Sequence, residues 1–433
     1  MPPLGPPSLG RRAALGLPLA LGACASLPAL PERDLASAPL HRAALEAAPE
    51  TEGNAVTLLA GGAPAVAAQL AAIAAARDTI HLQFYILDDV AVPATALSGE
   101  TLFPLLARKA REGVAVAAIY DSLGSGRTAT AALERLREAG VRLVSFNPIN
   151  PLGARAPWRP NHRTHRKILV VDGRTGFTGG VNFDRVYANP CGPGAVSPEE
   201  DPDAACWDDA ALRLQGPAVA QLQRLFLASW AHQGGVALPP RDWFPDPGRP
   251  GRVRARILGS SPGEGTPFFH VVRLAALEGA RRRAWFATGY LVPTARERAE
   301  LAAAARRGVD VRLLVPRAGD HPIATHAQRG IYAPLLEAGV RILETTDRVM
   351  HAKVMLVDEA WCAVGSSNFD WRAAAWNDEV DAILPDAGLT AALARMLEGR
   401  MARAAPVDPA AWARRPLGQH LREALSRPFA EQL

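Results

Sequence analysis

Cysteine is scarce in this chain, and its charge is not concentrated in any one stretch. Only four of the 433 residues are cysteines, and no CxxC pair or Cys/His cluster has the spacing of a zinc site. The net charge of +5 favours an anionic partner, but the excess is spread thinly and does not single out nucleic acid. We therefore expect neither a structural metal nor a cofactor.

The rest of the composition is that of an ordinary globular protein. Hydrophobic residues make up 48% of the chain and charged residues 21%, which excludes wholesale disorder. A length of 433 residues exceeds what one hydrophobic core usually supports. Length alone therefore predicts two domain-sized units.

The N-terminus has the pattern of an export signal. Arg11 and Arg12 precede the apolar residues 13–23, a stretch too short to cross a bilayer. The sequence LGAC that ends at Cys24 is similar to a bacterial lipobox, in which the cysteine becomes an acylated first residue. We therefore predict an exported, membrane-attached lipoprotein that faces the periplasm or the cell exterior, with the outer membrane favoured. A plain cleaved signal, a retained anchor and twin-arginine export are the alternatives.

The chain divides into five predicted segments. These are an export signal at 1–24, a tether rich in Ala and Pro at 25–53, two halves at 54–245 and 246–402, and a basic amphipathic tail at 403–433. Within the tail, arginines alternate with apolar residues at roughly helical spacing. The tail is expected either to lie on a membrane surface or, as is commoner for this pattern, to pack against the body as a helix.

Two of the cysteines bracket a segment rich in Pro, Gly and acidic residues. In an oxidising compartment, Cys191 and Cys206 would close this segment as a disulfide-bonded loop. The alternative is that these two residues and Cys362 are three unpaired thiols.

One stretch of sequence occurs twice. Residues 164–184 read THRKILVVDGRTGFTGGVNFD, and residues 350–370 read MHAKVMLVDEAWCAVGSSNFD. The shared His, Lys, Asp, Gly and Asn positions are all 186 residues apart, so no gap is needed. Apolar positions drift between the copies while the polar ones do not, which indicates that the copies share chemistry. The candidate catalytic residues are His165, Lys167, Asp172, His351, Lys353 and Asp358.

The segments around each copy predict the same order of elements. Each half reads as strand, helix, strand, helix, strand and then the repeated hairpin, and each helix closes on a glycine where a C-cap is needed. Such alternation predicts the α/β class. We expect two tandem α/β sandwich halves, with mixed sheets flanked by helices, packed about a pseudo-twofold axis.

Strand periodicity places the histidine and lysine of each hairpin on one face, because side chains at positions i and i+2 point the same way. An Asp-Gly turn then brings the asparagine of the first copy back to the level of the histidine. A single His-x-Lys pair is more often an exposed edge or a satisfied core histidine, and the second copy at a fixed offset is what favours function. The side chains predicted to converge are His165, Lys167, Asn182, His351, Lys353 and Asn368.

Two such half-sites facing each other would suit a tetrahedral phosphoryl group, with Asn182 and Asn368 binding phosphate oxygens. A neutral imidazole can attack phosphorus and form a phosphohistidine, while a protonated imidazole opposite gives its proton to the leaving alkoxide. One histidine is therefore expected to be neutral and the other charged. Lys167 and Lys353 would neutralise charge on the phosphoryl oxygens, so the chemistry needs no metal.

Four carboxylates accompany the motifs. Asp209 and Glu379 each follow a motif on an apolar, strand-like run, and we expect them to accept the second ring N–H of a histidine and orient it. A capped turn or a surface charge is the alternative for both. Asp172 and Asp358 complete the motif, but they fall at strand ends, where stabilising a turn is the expected role.

The strings HRKILVVD and HAKVMLVD, followed at one distance by GGVN and GSSN, resemble the HxKxxxxD motifs of the phospholipase D superfamily. Within that superfamily, NHRTHRKILVVDG, WDDAALRLQGPAV and HAKVMLVDEAWCAVGSSNFDWRA are similar to bacterial cardiolipin synthases. The resemblance implies two phospholipase D-like halves and a transferase in which His165 or His351 is phosphatidylated. A second phosphatidylglycerol then accepts the group, giving cardiolipin and glycerol. In relatives the N-terminal motif usually supplies the nucleophile, which favours His165.

Three other functions are compatible with these residues. A hydrolytic phospholipase D would use the same side chains with water as acceptor. A nuclease of the same superfamily would use the basic charge to hold a phosphate backbone, although the thin spread of charge disfavours nucleic acid as a partner. A non-catalytic lipoprotein would only hold phospholipid in a cationic groove. Phospholipid and a membrane surface are the expected partners, and the sequence does not indicate an oligomeric state.

Overall fold

The computed structural model of the protein describes residues 27–91, 99–153, 158–189, 191–192, 195–201 and 203–433. The predicted export signal and the proposed lipidation site at Cys24 lie outside these residues.

Strands and helices alternate through most of the described chain. The strands are β1 Thr51–Ala60, β2 Thr79–Phe84, β3 Ala115–Asp121, β4 Arg142–Phe146, β5 Ile168–Val171, β6 Thr175–Gly179, β7 Trp207–Asp208, β8 Ala210–Gln215, β9 Val253–Ser260, β10 Arg283–Ala287, β11 Leu291–Val292, β12 Asp310–Pro316, β13 Arg341–Thr345, β14 Val349–Met350, β15 Val354–Val357, β16 Trp361–Gly365, β17 Phe369–Asp370, β18 Glu379–Leu384 and β19 Ala405–Pro406. The helices are α1 Pro39–Ala47, α2 Gly62–Ala75, α3 Leu102–Arg111, α4 Thr130–Glu138, α5 Val219–His232, α6 Phe268–Gly279, α7 Ala295–Arg306, α8 Pro322–Gly330, α9 Tyr332–Glu337, α10 Trp371–Ala375, α11 Ala387–Met401, α12 Pro409–Ala413 and α13 Leu417–Ser426.

One 15-stranded mixed sheet runs through both halves in the order β19-β13-β12-β10-β15-β16-β18-β9-β1-β8-β6-β5-β2-β3-β4. In the first half, β2, β3 and β4 are parallel, and the antiparallel hairpin β5–β6 lies beside them. In the second half, β10, β12 and β13 are parallel, and β15–β16 is the equivalent hairpin. The halves meet where β1 pairs antiparallel with β9. The predicted α/β class with two similar halves is confirmed.

The helices cover both faces of the sheet because side chains alternate along each strand. Along β3, Val116 and Ala118 belong to the core under α2, α3 and α4. Ala117 and Ile119 belong to the core under α5, on the opposite face. Central strands such as β2 are therefore buried on both sides, so that the polar side chains His81 and Gln83 lie inside the protein together with the apolar ones.

Glycines end the helices that the sequence predicts. Gly113, Gly140, Gly308 and Gly339 follow α3, α4, α7 and α9, and each has a φ near +90°. A residue with a Cβ is strained in that left-handed conformation, so glycine is the residue that lets the chain turn into the next strand.

The segment predicted as a tether is folded onto the second half. The backbone N–H groups of Asp34 and Leu35 donate to the Glu278 carboxylate on α6, at 2.8 and 2.7 Å. Ala44 and Ala48 lie in the second half's core, and β1 begins at residue 51. Residues 35–53 therefore differ from the prediction, because small apolar side chains fit between α6 and the edge of that core.

The C-terminal tail also packs against the body, as the commoner of the two interpretations predicts. The rings of Trp412 and Tyr332 lie 5.0 Å apart, and α13 packs against α8. Glu423 and Ser426 are the buried residues of α13. Among the described residues, no helix combines the length and the apolar character needed to cross a membrane.

Cys191 and Cys206 are joined by a disulfide, with their Cα atoms 5.1 Å apart. The bond closes the segment that immediately precedes β7. Cys362 is a buried thiol on β16 whose pKa is raised by burial to about 11.

Candidate active site

Each motif histidine is held by the backbone of the other half. His165 lies just before β5, and its N–H donates to the Asp378 carbonyl at 2.8 Å. His351 lies just after β14, and its N–H donates to the Asp208 carbonyl at 2.9 Å. The short strand β14 also pairs parallel with β7, which carries Asp208. The two motifs are thus brought together at the interface between the halves.

The carboxylates that contact the histidines also cross this interface. His165 Nδ1 lies 3.0 Å from Glu379 Oε2, and Glu379 belongs to the second half. His351 Nδ1 lies 2.7 Å from Asp209 Oδ2, and Asp209 belongs to the first half. Neither carboxylate side chain has any exposed surface. Each imidazole therefore presents Nε2 on the ring edge away from its carboxylate.

Both motif lysines are buried beside the histidines. Lys167 Nζ donates to the His165 carbonyl at 2.7 Å and lies 5.6 Å from the centre of the Tyr85 ring. Lys353 Nζ lies 2.9 Å from both ring nitrogens of His351 and also donates to the His351 carbonyl at 2.5 Å. The two ammonium groups are therefore arranged differently, with only Lys353 against the imidazole ring itself.

Burial sets the protonation of the imidazoles. Burial lowers the pKa of His165 well below its ordinary value, and the positive charges of Lys167 and Lys353 lower this pKa further. Burial likewise lowers the pKa of His351, and Lys353, Lys167 and His165 act in the same direction. Each histidine thus responds to the lysine of the other motif, so the two motifs share one electrostatic environment. The protein alone favours two neutral rings, which differs from the predicted neutral and charged pair.

The charged partners of the histidines are shifted by the same cause. Burial raises the pKa of Glu379 to about 7, against the opposing charge of Lys167. Burial raises the pKa of Asp209 to about 6, against the opposing charge of Lys353. The pKa of Lys353 falls to about 8, again through burial. The site therefore contains three groups, Glu379, Asp209 and Lys353, that gain or lose a proton near neutral pH.

The two asparagines occupy equivalent positions but have different surroundings. Asn182 Oδ1 accepts the Ile86 N–H at 3.2 Å, and its Nδ2 donates to the Tyr187 hydroxyl at 3.1 Å. Asn368 Oδ1 is buried and has no hydrogen-bond partner among the residues that the structure describes. The Asn368 amide is therefore less committed to protein contacts than the Asn182 amide.

The motif aspartates do not join the histidines. The Asp172 carboxylate accepts the backbone N–H groups of Arg77, Asp78 and Thr79 at 2.8–3.1 Å, where the chain enters β2. The Asp358 carboxylate accepts those of residues 281–283 at 2.8–3.3 Å, where the chain enters β10. Both aspartates have a φ near +50°, as a tight turn requires. These contacts fit the turn-stabilising role expected of the two aspartates. Their place among the candidate catalytic residues is corrected, because they lie at the far end of the hairpin from the histidines.

Two features of the site have only a faint signal in the sequence. A Cβ on Gly180 would meet Asp209 Oδ1 at 2.1 Å, so glycine is needed for that carboxylate to reach His351. Ser366, at the equivalent position of the second half, instead donates its hydroxyl to Glu379. In the sequence, this asymmetry appears as the difference between GGVN after the first motif and GSSN after the second. The Tyr187 hydroxyl, 3.1 Å from His351 Nδ1, has no motif signal at all.

No group of three or more His, Cys, Asp or Glu side chains in the described part of the chain is arranged to hold a metal. The two lysines and the two histidine-bound carboxylates lie at the site, and the charges of Arg372, Asp320 and Asp370 also act on it.

Known proteins similar to this chain include cardiolipin synthases. The chain is 31% identical over 386 residues to cardiolipin synthase of Geobacillus thermodenitrificans, an alignment that covers 88% of this chain and 72% of the relative. It is 34% identical over 362 residues to cardiolipin synthase A of Pseudomonas aeruginosa, covering 83% and 70% of the two chains.

These relatives correct the predicted localisation. The chain aligns over more than four fifths of its length with cardiolipin synthases, and none of the relatives named above is described as an exported lipoprotein. The prediction of an exported lipoprotein facing the periplasm or the cell exterior is therefore wrong. An apolar stretch of 11 residues between arginines and a cysteine arises easily in a chain rich in Ala and Leu, so the lipobox pattern has little specificity.

The fold and the family agree. Phosphatidylserine synthase of Haemophilus influenzae matches with a TM-score of 0.60 at 14% identity, covering 87% of this chain and 92% of that one, which shows a shared fold. The family described as "Cardiolipin synthase, PLD-like domain" matches residues 70–190 and 274–401, one match in each half and each containing one of the motifs. The chain therefore belongs to the cardiolipin synthase family of proteins with phospholipase D-like domains.

Proposed function

We propose that the protein is a phosphatidyl transferase that makes cardiolipin and glycerol from two molecules of phosphatidylglycerol. The crossed pairing of His165 with Glu379 and of His351 with Asp209 is the observation that carries this proposal. It gives one site two oriented imidazoles, which is what a two-step transfer through a covalent intermediate requires. The similarity to cardiolipin synthases supports the choice of phosphatidylglycerol.

In the first step, His165 is the proposed nucleophile. Its Nδ1 faces Glu379, so Nε2 is left to attack the phosphorus of phosphatidylglycerol. The bond between phosphorus and the glycerol headgroup oxygen breaks, and His351 gives its proton to that oxygen. Lys353 lies against the His351 ring, so His351 is the more crowded of the two imidazoles and the less suited to attack. The products of this step are glycerol and a phosphatidyl group bonded to His165 Nε2.

In the second step, a second phosphatidylglycerol supplies the acceptor hydroxyl. His351, now neutral, takes the hydroxyl proton as the oxygen attacks phosphorus, and the bond between phosphorus and His165 Nε2 breaks. Cardiolipin leaves, and both histidines return to their starting states.

The negative charge of the substrate phosphodiester changes the protonation expected of the histidines. Burial alone leaves both imidazoles neutral, but an anion beside an imidazole favours its protonated form. Binding of the first substrate would therefore draw a proton onto His351. The buried charges of Lys167 and Lys353 would stabilise negative charge on the phosphoryl oxygens in the transition state, with Asn182 and Asn368 placing those oxygens.

The carboxylates have a positioning role in this scheme. Asp209 and Glu379 contact only the Nδ1 side of each ring, so they fix its orientation and stabilise its charged form. The two halves, 54–245 and 246–402, supply one motif each to the site. The phosphatidylglycerol substrates would be drawn from a membrane surface.

Product analysis tests the proposal. The purified protein is incubated with isotopically labelled phosphatidylglycerol in detergent, and the lipids are identified by mass spectrometry. Cardiolipin and free glycerol should appear in equal amounts, and the His165→Ala and His351→Ala variants should lose at least about 1000-fold of the rate. Phosphatidic acid as the main product would replace transfer by hydrolysis, and full turnover in either alanine variant would refute the two-histidine scheme.

A further inference from the structure

The C-terminal helix α13 has its apolar side turned outward. Leu417, Leu421 and Leu425 are 86%, 61% and 64% exposed, and their spacing of four residues places them on one side of the helix. Phe429, 37% exposed, continues the line into the turn that follows. We call these four residues the α13 stripe. An ordinary surface helix does the reverse and buries such a line of leucines.

Specific contacts fix this orientation. Glu423, on the inward side of α13, accepts from Arg415 Nη2 at 2.8 Å and from Gln419 Nε2 at 2.9 Å. A Cβ on Gly330 of α8 would lie 3.6 Å from Glu423 Cβ, so the two helices pack closely at that point. Turning the leucines inward would remove the Glu423–Arg415 ion pair from its buried place. The exposure of the stripe is therefore built into the packing of the helix.

The stripe ends beside the active site. Gln432 Oε1 accepts from Asn161 Nδ2 at 3.2 Å, and Asn161 precedes His165 by four residues. The Leu433 carbonyl accepts the Arg372 N–H at 3.1 Å, just after the second motif. A second group of exposed apolar side chains, including Leu152 and Trp158, lies on the segment that leads into Asn161.

Cationic side chains accompany the stripe. Arg414, Arg422 and Arg427 lie in or next to α13, and all three are exposed. An apolar line flanked by exposed arginines is the pattern of a helix that lies in the interface of an anionic membrane.

We propose that the α13 stripe inserts into the headgroup region of an anionic phospholipid bilayer and holds the mouth of the active site against the membrane. The inference rests on the proposed function, because a site that transfers phosphatidyl groups must draw both lipids from a bilayer. The four apolar side chains supply the insertion, and the arginines supply the attraction to anionic headgroups.

Vesicle binding by the full chain tests this inference. The test variant is Leu421→Ser/Leu425→Ser. The matched control is Val236→Ser/Phe244→Ser, which replaces two exposed apolar residues on the segment that joins the halves. In co-sedimentation with phosphatidylglycerol vesicles, the test variant should bind at least about tenfold more weakly than wild type, and the control should stay within about twofold. Wild-type binding should weaken with added salt and on vesicles of phosphatidylcholine.

A second substrate separates docking from chemistry. Short-chain phosphatidylglycerol, kept below its micelle-forming concentration, reaches the site without a membrane. The test variant should turn it over within about twofold of wild type, while its turnover of vesicle lipid falls together with binding. Wild-type protein that binds vesicles but turns over neither substrate would refute the proposed function and leave docking intact.

Two outcomes would overturn the inference. One is vesicle binding by the test variant equal to that of wild type. The other is that wild type is a dimer in light scattering and the test variant a monomer with unchanged vesicle binding, which would assign the stripe to a second copy of the chain.

Discussion

At the scale of single residues, the site is governed by burial of groups that prefer to be charged. Burial raises the pKa values of Glu379 and Asp209 and lowers those of the histidines and lysines. Opposite charges nearby offset part of the shifts of the carboxylates and lysines, whereas the lysine charges add to the shifts of the histidines. As a result Asp209, Glu379 and Lys353 change protonation near neutral pH, which ordinary carboxylates and lysines do not do.

Lys353 should set the alkaline limit of activity. Its pKa is lowered by burial to about 8, so it loses its charge as the pH rises through that value. The rate of transfer should therefore fall above about pH 8, because the transition state then lacks one positive charge. Lys353→Arg keeps the charge and should move this limb upward by at least about one pH unit, even at a lower maximum rate. A pH profile of kcat/KM checks this, and an identical limb in the arginine variant would contradict it.

The two carboxylates should affect different steps. Glu379→Gln removes the charge that supports His165, so formation of the phosphatidyl-enzyme should slow by about 100-fold. Asp209→Asn should instead slow both proton transfers made by His351. Rapid-quench measurement of the covalent intermediate distinguishes the two variants. Glu344→Gln, which alters a buried carboxylate outside the site, is the control and should leave the burst unchanged.

The sequence could predict the histidines, lysines and carboxylates, but not their pairing. The constant offset of 186 residues identifies the motifs, whereas Asp209 follows Asn182 by 27 positions and Glu379 follows Asn368 by 11. The offset therefore does not extend to the carboxylates. Which acid reaches which ring depends on how the halves face each other, and that information is in the three-dimensional packing.

At the scale of elements, the hairpins join the motifs to the sheet at both ends. The histidine end of each hairpin is held by the other half, and the aspartate end is held by the strand beside it. The strands and the Gly-terminated helices were predictable because their apolar periods are strong. α1 was not, because its nine residues bury mainly alanine against α6, a pattern too weak to identify without the packing partner.

Loss of a motif aspartate should reduce stability more than chemistry. Asp172→Ala removes an acceptor for three backbone N–H groups and places alanine at a φ of 52°. The free energy of unfolding should fall by about 3 kcal/mol, since both effects are destabilising. Denaturant titration measures the change, with Asp242→Ala on the exposed linker as control. The folded fraction should retain its kcat within about threefold, and an inactive but fully stable variant would contradict the turn-stabilising role.

At the scale of the whole molecule, the two halves form one mechanical unit. The sheet passes through the β1–β9 pair, where Thr51 pairs with Ala255 and Asn54 with Val253 on either side of a register shift. Each half also supplies the carboxylate for the other half's histidine. The N-terminal segment adds a further link, because it packs on the second half before it enters β1 in the first. One half could therefore not unfold alone without breaking all of these contacts.

The protein should therefore unfold in one cooperative transition. Differential scanning calorimetry should give a single peak, with the calorimetric and van't Hoff enthalpies in agreement. Asp172→Ala in the first half and Asp358→Ala in the second should each lower the temperature of the whole peak. Two resolved peaks, with only one displaced by each variant, would show that the halves are independent domains.

The strand pair β1–β9 also limits how lipids can move through the protein. Because the two strands pair in one sheet, we expect the halves to stay together during the reaction. In the proposed reaction, the departing glycerol and the second lipid would then use the same opening of the active site, one after the other. This order of events gives ping-pong kinetics. Glycerol added in excess should re-enter the site and reverse the first step, converting the phosphatidyl-enzyme back to phosphatidylglycerol.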